Sequence, residues 1–144
     1  EELVVINRSK FITTLIPITS SEDAQEKLRA IKKQYSDATH NCYAYISSEN
    51  ATEQKFSDDG EPQGTAGAPI LEVLKKKNIY MTLAIVTRYF GGIKLGASGL
   101  VSAYSSCVAS AIDNKTVGTV LYCILSLAKN ALIIGGLLTI KDGK

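Results

Sequence analysis

Ile79-Tyr-Met-Thr-Leu-Ala-Ile-Val-Thr-Arg-Tyr-Phe90, continued by Gly91-Gly-Ile-Lys-Leu-Gly96 and Ala97-Ser-Gly-Leu100, is the passage on which the fold turns. Its first part is apolar and β-branched almost throughout, which predicts a long strand, central in its sheet. Glycines at 91, 92, 96 and 99 then break the pattern and predict a loop. Beyond them Leu100, Val101, Tyr104, Val108 and Ile112 return at helical spacing, so a helix follows, ending near Asn114-Lys115.

Working upstream, Thr65 is placed to cap a helix with Pro69 in its first turn and Ile70, Val73 and Leu74 turned inward. That helix ends in Lys75-Lys76-Lys77-Asn78, cations where a helix C-terminus favours them. Phe56-Ser-Asp-Asp-Gly-Glu-Pro-Gln-Gly-Thr-Ala-Gly67, with three glycines, a proline and three acids, reads as a loop, as does the polar run 48–55. Cys42–Ser47 predicts a short strand. Ala24, Leu28, Ile31 and Tyr35 predict an amphipathic helix capped by Ser20 or Ser21, with Glu22 and Asp23 in its first turn. Lys10–Ile18 predicts a strand paired with Leu3–Ile6. The order β-β-α-β-loop-α-β-loop-α points to an α+β fold, a two-layer sandwich of a small mixed sheet with helices on one face.

The chain has 144 residues, 45% of them hydrophobic, and a net charge of +2. That length carries a core without disulfide staples. The charge rules out a polycationic tail, so any nucleic-acid contact must come from a local patch. Three cysteines, at 42, 107 and 123, have no C-x-x-C spacing, which suits a reducing cytoplasm rather than a disulfide framework or zinc ribbon. Residues 120–140 are apolar with Lys129 near their middle; two short buried elements are the preferred reading over a membrane span.

Seven of the eleven glycines (60, 64, 67, 91, 92, 96 and 99) fall in two loops, and these hold the candidate site. Gly91 and Gly96 have the G-x-x-x-x-G spacing of a phosphate loop, and Ser98 stands where the magnesium-binding hydroxyl belongs. Ala97, however, replaces the lysine that neutralises the β- and γ-phosphates. Triphosphate hydrolysis is therefore rejected. Loop amides flanked by Arg88 and Lys94 still suit a single phosphate or carboxylate, against the alternative that the glycines only permit tight packing. In the other loop Asp58, Asp59 and Glu61 offer three carboxylates for a divalent cation or an acid/base pair, or for pairing with Arg88 and Lys94. An acidic and a basic loop facing each other across a cleft is the site that spacing suggests. His40 with Cys42 or Cys107 is the one conceivable nucleophilic set, but no oxyanion hole accompanies it, and a structural histidine is preferred. Tyr43, Tyr45, Tyr80 and Tyr89, with Phe90 next to the last, could stack on bases while Lys75–Lys77 contact phosphates; core aromatics and a solvated helix end are the preferred reading.

Three motifs resemble the IMPACT family, specifically its bacterial, YigZ-type branch. They are Asp37-Ala-Thr-His-Asn-Cys-Tyr-Ala-Tyr45; Phe56 through Gly67 with Pro69-Ile-Leu; and Val86-Thr-Arg-Tyr-Phe-Gly-Gly-Ile-Lys-Leu-Gly96 with Gly99-Leu and Ala103-Tyr104. The resemblance spans residues 1 to about 114. It implies a fold similar to the second domain of a small-subunit ribosomal protein, and in bacterial members a further ferredoxin-like domain. Eukaryotic members act in translational control by competing for the activator of the amino-acid-starvation kinase. Residues 1–115 are thus expected to form an IMPACT-type N-terminal domain. Residues 116–144 are expected to be an apolar segment without a match, a truncated or shortened second domain.

The resulting expectation is a cytoplasmic, non-enzymatic protein linked to translation or its regulation. It would bind RNA, the ribosome or a translation-linked protein, with no membrane partner and no reading of DNA sequence. The site residues are Asp58, Asp59, Glu61, Arg88, Gly91, Gly92, Lys94 and Gly96, with no cofactor and no metal. The alternative is a metal-assisted or acid/base enzyme acting on a phosphorylated or acidic small molecule in the cleft between the loops.

Overall fold

Thr82–Tyr89, the heart of the long apolar run, is buried along nearly its whole length. In the computed structural model, which describes residues 1–48 and 52–114, it is the middle strand of five. The elements are β1 (Glu2–Ile6), β2 (Ser9–Pro17), α1 (Ser21–Gln34), β3 (His40–Ile46), β4 (Gln54–Ser57), α2 (Gly67–Lys76), β5 (Thr82–Tyr89) and α3 (Gly96–Asn114). The sheet order is β1-β2-β5-β3-β4, and every neighbouring pair is antiparallel.

The α+β class holds, while two details differ from expectation. The sheet is antiparallel rather than mixed: β2 and β3, joined through α1, are separated by β5, which inserts between them and runs against both. The helices also lie on both faces. Cys42, Ala44, Ile46, Ala84 and Val86 pack under α2 and α3. Tyr43, Tyr45, Leu83 and Ile85 pack under Ala24 and Leu28 of α1. The physical sign was present in β3 and β5, whose uninterrupted apolar runs leave no face suited to water. Tyr43 and Tyr45 are therefore core residues, and Tyr45 Oη is held by Ser21 Oγ and Gln25 Nε2.

Local chemistry sets the boundaries. Ser20 Oγ accepts from the Asp23 amide while Asp23 Oδ2 accepts from the Thr19 amide, a reciprocal cap at the start of α1. Asn7 and Arg8 both have positive φ, which makes the two-residue turn between β1 and β2. Gln54–Ser57, expected as loop, is a four-residue edge strand on β3. Residues 115–144 lie outside the described residues, and with them Cys123, the 120–140 stretch and the expectation of a separate 116–144 segment. Among the described residues no helix is long and apolar enough to cross a membrane.

Candidate functional site

Alternation along β3 and β5 puts His40 and Arg88 on the α2/α3 face, where they stand opposite each other in register. Arg88 is only 4% exposed, a position that demands a counter-charge. Glu61, 7% exposed, supplies it: Arg88 Nη1 donates to Glu61 Oε2 at 2.8 Å. Tyr104 Oη from α3 donates to the same oxygen at 2.5 Å, and His40 Nε2 lies 3.4 Å from Glu61 Oε1. The remaining Arg88 donors, Nε and Nη2, reach Ser9 Oγ at 3.3 and 3.2 Å. The guanidinium sits between two aromatic rings, 5.6 Å from the centroid of Phe11 and 5.3 Å from that of Phe90. His40 Nδ1 lies 2.9 Å from the Asp59 carbonyl; a carbonyl only accepts, so this nitrogen carries the proton.

Above this cluster opens a pocket of about 370 Å³. His40, Glu61 and Arg88 form its polar side, with Thr39. Pro62, Phe90, Leu95, Ala97 and Leu100 form apolar walls, and Lys94 and Gly96 complete it. The acidic and basic loops do meet, but through one acid and not three. Asp58 is committed to the fold: Oδ1 accepts from the Ala66 and Gly67 amides at 3.1 and 2.8 Å, and Oδ2 from Gly64 at 2.9 Å. It caps α2 from nine residues away. Thr65, expected in that role, instead donates its hydroxyl to the Pro62 carbonyl. Asp59 accepts from the Asn41 amide at 2.7 Å and lies 4.0 Å from Lys32. Neither aspartate lines the pocket. Among the described residues no cluster of His, Cys, Asp and Glu is arranged to hold a metal ion.

The glycines divide by use. At Gly91 a Cβ would stand 2.1 Å from the Arg8 carbonyl oxygen, so the backbone of the β1–β2 turn packs where a side chain would be. Gly92 and Gly96 have positive φ and open space around them. Cys42, 0% exposed, lies 3.0 Å from the Asp58 carbonyl and 3.4 Å from Tyr104 Oη, and its single S–H can serve only one of them at a time. Burial, with the neighbouring carboxylates adding to it, pushes this thiol up to about 12 although the Tyr104 contact works the other way. Burial likewise pushes Cys107 up to about 11. Both thiols are thus held in the neutral form near neutral pH, unlike an activated nucleophile. Tyr104 is also raised far above the ordinary phenol value, by burial first and then by Cys42 and Glu61.

Sequence reasoning did not assign Ser9, Tyr104 or Phe90 to the site. Tyr104 carried a usable signal, since a tyrosine on the apolar stripe of α3 needs a partner for its hydroxyl. Ser9 had none, because its role depends on β2 lying beside β5.

The family model described as the Impact N-terminal domain matches residues 7–112. The IMPACT family member YvyE of Bacillus subtilis is 53% identical over 114 residues, 79% of this chain and 52% of that protein. The IMPACT family member YigZ of Escherichia coli is 39% identical over 113 residues, 77% of this chain and 55% of that protein. The chain thus spans about half the length of these relatives. A crystal structure of a hypothetical protein, 38% identical, superposes with a TM-score of 0.75 over 78% of this chain and 55% of its own. The two-domain translational regulator Yih1, 21% identical, shares the fold with a TM-score of 0.52 over 78% of this chain and 45% of its own.

Proposed function

The chain belongs to the IMPACT family, and from that premise we propose that it is a non-enzymatic binding module linked to translation or its regulation. It engages RNA, the ribosome or a translation-associated protein through the 88–96 loop and the pocket beside it. The relation to Yih1, which is named a translational regulator, supports the translation link. Two buried, free thiols at Cys42 and Cys107 fit a cytoplasmic setting.

The observation that carries the binding reading is the division of charge around the pocket. Arg88 is neutralised in place by Glu61, while Lys94 lines the pocket with no ion pair among the described residues. An ammonium left free at a concave, largely apolar surface suits an anionic partner. The enzyme alternative draws less support, because Asp58 and Asp59 are engaged by backbone amides. Glu61 is likewise engaged, accepting from Arg88 and Tyr104.

Co-sedimentation of the full chain with ribosomes at graded salt tests this. Binding should fall as salt rises, and Lys94→Ala should weaken it at every salt with the melting curve unchanged. A chain that never sediments, or a Lys94→Ala variant indistinguishable from the parent, contradicts it.

A further inference from the structure

Three features of the pocket have chemistry that the ion pair beneath it does not use. Phe90 is a pocket wall and 46% exposed, with the Arg88 guanidinium 5.3 Å from its centroid. That cation is fixed by Glu61 and Ser9, so it holds the ring in place and leaves the rest of it open. Lys94 lines the same pocket and carries an unpaired ammonium among the described residues. Glu61 Oε2 is occupied by Arg88 and Tyr104, whereas the one polar partner of Oε1 among the described residues is His40 Nε2, at 3.4 Å.

We infer that this pocket takes one unpaired nucleotide of a single-stranded RNA. The base stacks on Phe90, an adjoining phosphate meets Lys94, and Glu61 Oε1 accepts from an amino group on the base. The inference rests on the RNA arm of the reading above and names the ligand of that same site. A flat π-face, a cation and a buried acceptor around one space match the face of a base, an adjoining phosphate and an amino group on the base edge. An apolar peptide side chain would need the walls alone and would leave both the acceptor and the ammonium without a use. The acceptor also gives a preference: adenine, cytosine and guanine present an exocyclic amino group, whereas uracil offers a carboxylate only its single ring N3–H.

The test is fluorescence anisotropy of labelled twelve-nucleotide oligo(A), oligo(C) and oligo(U) RNA with the full chain, beside ribosome co-sedimentation of the same proteins. Phe90→Ala should weaken oligo(A) binding about tenfold or more, and Phe90→Tyr should retain it. Lys94→Ala should reduce the salt slope by roughly one phosphate contact. Oligo(U) should bind several-fold more weakly than oligo(A) or oligo(C). Unaltered oligo(A) affinity in a folded Phe90→Ala variant overturns the inference, as does equal affinity for all three oligomers. Ribosome binding that persists without any oligomer binding also overturns it, while sparing the broader proposal in favour of a protein contact. Loss of both readouts overturns the two together.

Discussion

The loop 58–67 and the loop 91–96 are alike in composition, each joining a strand to a helix with glycine and charge, yet their charges are used in opposite ways. In the first, Asp58 accepts three backbone amides and Asp59 a fourth, so the carboxylates hold the chain to itself. In the second, Lys94 lines the pocket without an ion pair among the described residues. Glu61 and Arg88 form the seam between the two loops. A charged residue in a glycine loop thus says little until its hydrogen bonds are counted. An acid surrounded by amides builds the loop, and a cation without a partner is available to something else.

The seam gives the largest expected effect. Arg88→Leu leaves Glu61 buried without its cation and should cost about 3–5 kcal/mol in urea unfolding. Arg88→Leu combined with Glu61→Gln should recover part of that loss, because no uncompensated charge remains. If the single substitution costs less than about 1 kcal/mol, the pair is not what joins the loops.

Asp58→Ala comes next. Removing an acceptor of three amides, two of them at the start of α2, should cost about 2–3 kcal/mol, and hydrogen exchange should quicken first at Gly64, Ala66 and Gly67. A neutral outcome would make the first loop as free as the second.

A smaller, pH-dependent effect sharpens the same contrast. The Cys42 thiol, in contact with the Asp58 carbonyl, is raised in the folded state to about 12 from an ordinary value of 9.0. A folded-state value above the unfolded one means that the neutral thiol's contribution is complete below about pH 9 and is lost as pH climbs towards about 12. Cys42→Ala should therefore show a shallower decline in stability across that window than the parent chain. Identical alkaline slopes would mean that the thiol is not held neutral by the fold.

Much of this architecture was legible in the sequence. The apolar run ending in Tyr89 announced the central strand, and Ser20 with Asp23 announced the start of α1. Each depends on residues close in the chain. What escaped depended on distant partners. β4 is a strand only because Phe56 and Lys55 fall into register with Ala44 and Tyr45. The cap of α2 comes from Asp58 rather than from the adjacent Thr65, which no local pattern encodes. For the site, the sequence brought Glu61, Arg88, Lys94 and Gly96 to one place but grouped Asp58 and Asp59 with them. Carboxylates committed to amides and carboxylates facing a pocket have the same letter. Ser9, Tyr104 and Phe90 join the site only because β2, α3 and the end of β5 converge on Arg88.

The division of labour between the loops is tested most directly by measuring stability and ribosome co-sedimentation together for Asp58→Asn and Lys94→Ala. Asp58→Asn should lower the unfolding midpoint and, below that midpoint, sediment like the parent chain. Lys94→Ala should unfold within about 0.5 kcal/mol of the parent and lose affinity at each salt concentration. The reverse pattern, with binding lost in folded Asp58→Asn and kept in Lys94→Ala, would place the working surface on the first loop and contradict the account.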